Sequence, residues 1–430
     1  MKKTRIQLLL TGNELMSGDV VDTNSIMIAN KLEGKGFSLQ RKVTVGDDIA
    51  LLKQEVESIS MMADVLIVNG GLGPTIDDLT AEVLADVVQQ VLEENNTALS
   101  HLESWCARRN FRLDGPNKKQ AFLPRGVSIV PNPIGSAVGF FIEHNNCLII
   151  CTPGVPSELE VMLDQTILAL LGDRFASLNK TSVLHLPVFG VGESTIQRMI
   201  SEAIPHWPLN VELGFRASLP LVDVKLTTHS IEGEQNRQCC LAELRTLLGA
   251  HIVAEQEADL QSCVVDLLVQ KGKNLATAES CTGGLIASQI TAIPGASAVF
   301  ELGIVSYSNR VKHDLLNVEM STLDAHGAVS EAVVRAMALG ALQKSQSDYV
   351  IAVSGVAGPD GGTESKPVGT VWLAWGCKGE IDAQCLYFPG SRRFFQQWVA
   401  AVGLDLIRRK LLAVEAPPLY FKQRTPPQKN

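Results

Sequence analysis

Aromatic residues make up only 5% of this 430-residue chain, with four tyrosines and five tryptophans. That scarcity argues against an aromatic-rich β-sandwich, while 35 glycines suit layered α/β domains. Nine cysteines are scattered with no CxxC pair, so neither a zinc cluster nor a disulfide framework is indicated. Their odd number fits a reducing compartment, and a cytoplasmic location is the expectation. No run of 18 apolar residues occurs, and the apolar stretch Ile6–Leu10 is too short for the core of a signal peptide. A soluble protein with no membrane partner is therefore expected. Basic residues are outnumbered, 37 Lys and Arg against 46 Asp and Glu, for a net charge of −9. This balance counts against direct nucleic-acid binding. No segment repeats at a fixed period, which removes solenoids and propellers.

What is present points to two or three α/β domains, since 430 residues exceed one ordinary core. The organising stretch is Ala276-Thr277-Ala278-Glu279-Ser280-Cys281-Thr282-Gly283-Gly284. A short strand ends at an acid, small hydroxyls and glycines follow, and Leu285, Ile286 and Ile290 open a helical pattern. Such a turn offers backbone N–H groups and hydroxyls to an anion or oxyanion. The same residues also read as a helix cap at Thr282 and a tight glycine turn.

In the first third, apolar runs at Arg5–Leu10, Asp64–Asn69 and Leu148–Cys151 read as buried parallel strands. The Asp64–Asn69 run feeds Gly70-Gly71-Leu72-Gly73-Pro74-Thr75-Ile76-Asp77-Asp78 ahead of a helix beginning near Thr80. Gly70, Gly71, Gly73 and Thr75 form a candidate phosphate loop, and Asp77 and Asp78 are candidate ligands for a hard cation such as Mg²⁺. Glu14 and Asp22 are candidates to complete that set; a plain acidic helix start is the other reading of the Asp pair. Ser157 and Glu160 read as a capping box before a helix over Leu159–Leu171.

Strands with alternating polarity at Val183–Val188 and Val222–Thr228 mark a different, half-solvated sheet. His185, His206 and His229 are too dispersed there for a metal site, and a structural role is expected. Beyond Asp259, three strand ends carry Ser280, Tyr307 and Ser354, and Lys312 follows Tyr307 by five residues. Ser280 is the candidate nucleophile. The nearest histidines, His313 and His326, lie outside these motifs, and His326-Gly327 reads as a helix end, so Lys312 as base, with Tyr307 as a proton relay, suits them better than a Ser–His–Asp triad. Taken alone, Lys312 also reads as a solvated surface lysine. Cys281 is the rival nucleophile.

The segments GNELMSGDVVDTN, GGLGPTIDDLT and TPGVPSELE resemble the N-terminal half of the CinA family, related to molybdopterin-binding domains of the MoaB and MogA type. ESCTGG, with the YSN of Tyr307-Ser308-Asn309 and the Lys after it, resembles the family's C-terminal amidase domain. The resemblance implies an α/β N-terminal domain over residues 1–172, a small α+β connector over 173–256, and an α/β amidase domain over 257–414. The segment 415–430, with four prolines, is expected to be disordered. The activity implied for the C-terminal domain is hydrolysis of the carboxamide of nicotinamide mononucleotide to nicotinic acid mononucleotide and ammonia, without a cofactor. Its expected substrate-binding residues are Thr282, Gly283, Gly284, Asn309, Ser354, Gly355, Gly358 and Arg392. The N-terminal half is implied to be a divalent-metal-dependent ADP-ribose pyrophosphatase, with a pterin- or nucleotide-binding module as the alternative. A homo-oligomer, a dimer, is expected. A noncatalytic partner in DNA uptake or repair is the competing reading of the whole chain.

The chain departs from the family's pattern in two places. Gly135-Ser136-Ala137-Val138-Gly139 stands where Gly-Thr-Ala-Pro-Gly is usual. After Gly390, Ser391-Arg392 and Gln396 stand where Asp-Arg and a second Arg are usual, with Arg393 a candidate substitute.

Overall fold

Unbroken apolar runs become strands covered on both faces. The computed structural model describes residues 4–113, 115–175 and 182–427. Strands β1 (Ile6–Thr11), β2 (Leu39–Val45) and β3 (Val65–Asn69) are followed by a ribbon of β4 (Leu92–Glu94) with β5 (Phe122–Pro124), then β6 (Ser128–Val130), β7 (Gly139–His144) and β8 (Cys147–Thr152). Six of them form one sheet in the order β2-β1-β3-β8-β7-β6. The β2, β1, β3 and β8 pairings are parallel, and β7 and β6 run antiparallel at the edge. Alternate residues of β1 serve opposite cores. Leu8 and Leu10 pack with Ile28 and Leu159, while Leu9 packs with Leu52, Val56 and Val83. The expected capping box is not formed. The helix Pro156–Met162 has Val155 at its N-cap and Pro156 in the first turn, where a missing N–H costs nothing.

Next come β9 (Ser182–Phe189), β10 (Val211–Ser218) and β11 (Leu221–Thr228), a three-stranded sheet in the order β10-β11-β9 with helices Glu193–Ala203 and Ile231–Leu248. The last sheet holds β12 (Leu275–Glu279), β13 (Phe300–Val305), β14 (Tyr349–Gly355), β15 (Thr370–Cys377) and β16 (Glu380–Tyr387), ordered β13-β12-β14-β15-β16. The first three are mutually parallel, so Ser280 and the residues after Val305 and Gly355 emerge at one sheet edge. Strand β16 carries too many polar residues to stand out in the sequence. Helix Leu260–Lys271, capped by Asp259, and helix Arg392–Leu411 cover one face; Glu331–Ser345 covers the other.

The chain divides into two compact units, Met1–Val183 and Leu184–Asn430. The connector expected to end at residue 256 therefore shares a unit with the C-terminal sheet. Val253 N donates to Pro187 O at 2.8 Å, His251 Nδ1 lies 2.9 Å from Phe189 O, and the Arg408 and Arg409 guanidiniums donate to Ala250 O. Both arginines pair with Asp405, which is fully buried. Of the segment 415–430, expected to be disordered, residues 428–430 lie outside the described residues, and the part before them is ordered around one element. Tyr420–Gln423 forms a short helix, with Tyr420 2% exposed and its hydroxyl donating to Asp405 at 2.9 Å. Tyr420 packs on Phe189, and Phe421 on Trp375. Two aromatic anchors outweigh the local prolines. No helix among the described residues is long and apolar enough to cross a membrane.

Candidate active site

Three small residues, Ala276 to Ala278, let β12 run fully buried between β13 and β14 and deliver Ser280 to the sheet edge. Ser280 N donates to Val353 O at 3.0 Å, and Gly283 N closes the turn on Ser280 O at 3.1 Å. Gly283 and Gly284 have φ of +65° and +94°, which side-chain-bearing residues adopt at a cost. The acid before Ser280 is turned inward. The Glu279 carboxylate, 1% exposed, accepts from Thr282 Oγ1 at 2.7 Å and from the amides of Gly284, Ile286 and Ala287. The helix N-terminus is thus satisfied from within the protein, and Thr282, expected to touch substrate, spends its hydroxyl on Glu279.

Lys312 comes from the helix Asn309–Leu316, which is N-capped by Ser308. Its apolar stem and amino group are buried, with 1% of the residue exposed, so the solvated-lysine reading falls. Nζ lies 3.1 Å from Ser280 Oγ, 2.8 Å from Ser306 O and 3.4 Å from Tyr307 O. Burial pushes the Lys312 pKa below its usual 10.5. The rival Cys281 is 4% exposed, and burial pushes its thiol up to about 12. It stays a thiol at neutral pH and is a poor nucleophile.

Tyr307 takes a different place from the expected relay. The residue is 59% exposed, and its hydroxyl accepts from Arg392 Nη2 at 2.7 Å. Arg392 Nη1 donates to Gly358 O at 2.9 Å. Arg392, Tyr307 and Gly358 are thus brought together at the rim of the site. Asn309 is exposed at its helix start. Ser354 is 1% exposed and gives its hydroxyl to Ala328 O, so it fastens a loop, and Gly355 lies within β14 against Thr370. Neither is presented as a free ligand. Ser391 accepts from Phe394 N as the N-cap of the last helix, a task Ser and Asp perform alike, and Arg393 is exposed beside it. Gln396 Nε2 donates to Cys281 O at 2.9 Å. The sequence marked Gln396 only as a departure, and Ser306 not at all, because both act through contacts remote in the chain.

A separate cavity of about 550 Å³ opens at the carboxyl ends of β1, β3 and β8 in the first unit. It is lined by Gly70, Gly71, Gly73 and Thr75, as expected, together with Glu14, Asp77 and Asp78 and the unanticipated Asp47 and Glu158. The carboxylates are largely engaged within the protein. Asp78 accepts from Thr75 N at 2.8 Å and from the Thr75 hydroxyl. Asp47 accepts from Thr11 Oγ1 and Asn13 N, both at 2.9 Å, and Glu158 from Asn132 Nδ2 at 2.8 Å. Lys119 Nζ reaches beneath the loop to Thr75 O and Asp78 O. Asp22 is bound by Ser25 and Lys42. Among the described residues no three His, Cys, Asp or Glu side chains come together as metal ligands. The expected set Asp77, Asp78 and Glu14 is therefore not assembled. Asp78 packs so closely on Gly73 that a Cβ added there would meet its Oδ2 at 2.5 Å.

Residues 257–411 match the family model of the CinA C-terminal domain, and residues 7–173 that of a probable molybdopterin binding domain. A CinA-like protein of Colwellia psychrerythraea is 50% identical over 427 residues, 99% of each chain. One of Shewanella denitrificans is 41% identical over 95% of this chain and 96% of its own. A CinA superfamily protein of known structure from Klebsiella pneumoniae is 38% identical, covering 36% of this chain and 96% of its own, with a TM-score of 0.35. Two domain models in the expected order and full-length relatives agree on one conclusion: the chain belongs to the CinA family.

Proposed function

We propose that the C-terminal unit is an amidohydrolase that uses Ser280 as nucleophile and Lys312 as general base, with the carboxamide of nicotinamide mononucleotide as substrate. The contact between Ser280 Oγ and Lys312 Nζ, 3.1 Å long and buried, supports this reading above all. A neutral lysine amine has two protons and one lone pair. Two backbone carbonyls, Ser306 O and Tyr307 O, stand ready to accept the protons, which leaves the lone pair for the Ser280 hydroxyl.

On that geometry Ser280 Oγ attacks the carboxamide carbon while its proton passes to Lys312. Lys312 returns the proton to the leaving nitrogen, the C–N bond breaks, and ammonia departs from an ester on Ser280. Water, deprotonated by the same amine, then cleaves the ester to the carboxylate and restores the hydroxyl. The amides of Gly284, Ile286 and Ala287 take no part, since Glu279 holds them. Arg392, held at the rim by Gly358 O and the Tyr307 hydroxyl, supplies a guanidinium for the substrate phosphate through its remaining N–H groups.

For the N-terminal unit, the glycine loop and cavity support binding of a nucleotide or pterin. Hydrolysis of ADP-ribose, which the family resemblance implies, calls for a divalent cation, and the carboxylates as arranged do not fit one. The binding half of that reading has support; the metal half has none. Product analysis with nicotinamide mononucleotide and with ADP-ribose, each with and without chelator, tests both units. Ammonia and nicotinic acid mononucleotide are expected in chelator. Their absence from a folded, full-length preparation contradicts the amidase reading.

A further inference from the structure

Resting on the assignment of Ser280 as nucleophile, we propose that Gln396 is a positioning residue that fixes the nucleophile turn against Lys312. Cys281 O, one peptide beyond Ser280, accepts from Gln396 Nε2 at 2.9 Å across 115 residues of sequence. A carbonyl only accepts, so the NH₂ end of the Gln396 amide must face it. Ser280 is otherwise held by its backbone bonds to Val353 O and Gly283 N and by the Lys312 contact at its hydroxyl, Glu279 fastens the far side of the turn through Thr282 and Gly284, and the turn contains two adjacent glycines at positive φ. Such a turn has little intrinsic stiffness. Gln396 is the side chain that ties it to a rigid element, the twenty-residue helix Arg392–Leu411. Arg392, one helical turn earlier on the same face, grips Gly358 O and the Tyr307 hydroxyl. One helix face therefore fastens three loops of the site, and Gln396 serves the loop bearing the nucleophile. The hydrogen bond holds the Ser280 hydroxyl at the Lys312 lone pair, the alignment that governs the attack step.

The test uses the full chain and a fluorophosphonate probe, which phosphonylates an activated serine whatever the natural substrate is. Ser280 labelling is located by mass spectrometry, and its rate is measured across pH alongside the thermal midpoint. Gln396→Glu keeps the shape but sets a carboxylate oxygen against Cys281 O; Gln396→Arg restores a donor. Expected is slowing of about tenfold or more in Gln396→Glu, the effect of one lost hydrogen bond in an aligned site. The loss should persist on the high-pH plateau, where Lys312 is neutral in both proteins and the charge of the new carboxylate no longer acts through its protonation, and Gln396→Arg should recover most of the rate. Gln396→Glu labelling at the parent rate overturns the proposal, and so does equal slowing in the Arg variant. A parent that is not labelled at Ser280 overturns the nucleophile assignment itself and this inference with it. That outcome is distinct, because the unsubstituted protein already fails.

Discussion

Lys312 Nζ lies 3.1 Å from Ser280 Oγ, and its other hydrogen-bond partners are the carbonyls of Ser306 and Tyr307. Its hydrogen-bond partners include no carboxylate. Burial disfavours the ammonium form there and lowers its pKa. The amidase rate should consequently rise with pH to a plateau, with its midpoint below the usual lysine value of 10.5. A profile of kcat/KM against pH checks this. A rate that falls as pH rises through that window would assign Lys312 a different role.

The same shift makes a stability prediction. Lys312 has a lower pKa folded than unfolded, so between the two values the unfolded chain binds the extra proton. Stability should increase with pH across that window, and the contribution should be lost as pH falls through the folded value. Lys312→Met removes the titrating group and should flatten this dependence while abolishing turnover. Urea unfolding of the two proteins at a series of pH values reads the difference.

Tyr307 is bonded to Arg392, and this alters what its removal should do. Tyr307→Phe releases one anchor of the guanidinium and leaves Lys312 and Ser280 untouched. KM for nicotinamide mononucleotide should rise several-fold, about 1 kcal/mol for one hydrogen bond, with kcat little changed. Steady-state kinetics separate this from a proton relay, whose loss would lower kcat.

Cys281 is buried, with its thiol pushed up to about 12, whereas Cys239 is exposed. A thiol-blocking reagent should modify Cys239 in the native protein, spare Cys281 and leave amidase activity standing. Peptide mapping after brief treatment checks the order of reaction. Inactivation that tracks modification of Cys281 would reverse the choice of nucleophile.

Much of this arrangement is legible in the sequence, and what is not has a common cause. Runs of small and apolar residues mark β12 and β14, and Asp259, Ser308 and Ser330 cap the helices that follow them, because these are local effects. Ser280 and Lys312 could be named from residue type, as amide hydrolysis needs a nucleophile and a base. The inward turn of Glu279, the Tyr307–Arg392 bond and the grip of Gln396 on Cys281 join or reorient side chains in ways residue type does not encode. Asp78 misled for the same reason: an acid after a glycine loop can bind a cation or cap the loop, and here it closes on Thr75. The tail misled because prolines dominate its composition, while two aromatics decide its packing.

Tyr420 makes that last point measurable. Its hydroxyl donates to the fully buried Asp405, which also holds Arg408 and Arg409. Tyr420→Phe should cost about 1–3 kcal/mol, the penalty for leaving a buried acceptor short of a donor. A urea midpoint unchanged from the parent would show that the tail contributes nothing to the unit.

The most direct measurement is ammonia release from nicotinamide mononucleotide, in chelator, by the parent and by Ser280→Ala. Steady release by the parent is expected, with a fall of about a thousandfold or more in the variant and an unchanged circular dichroism spectrum. A folded Ser280→Ala protein turning over near the parent rate would contradict the assignment of Ser280 as nucleophile.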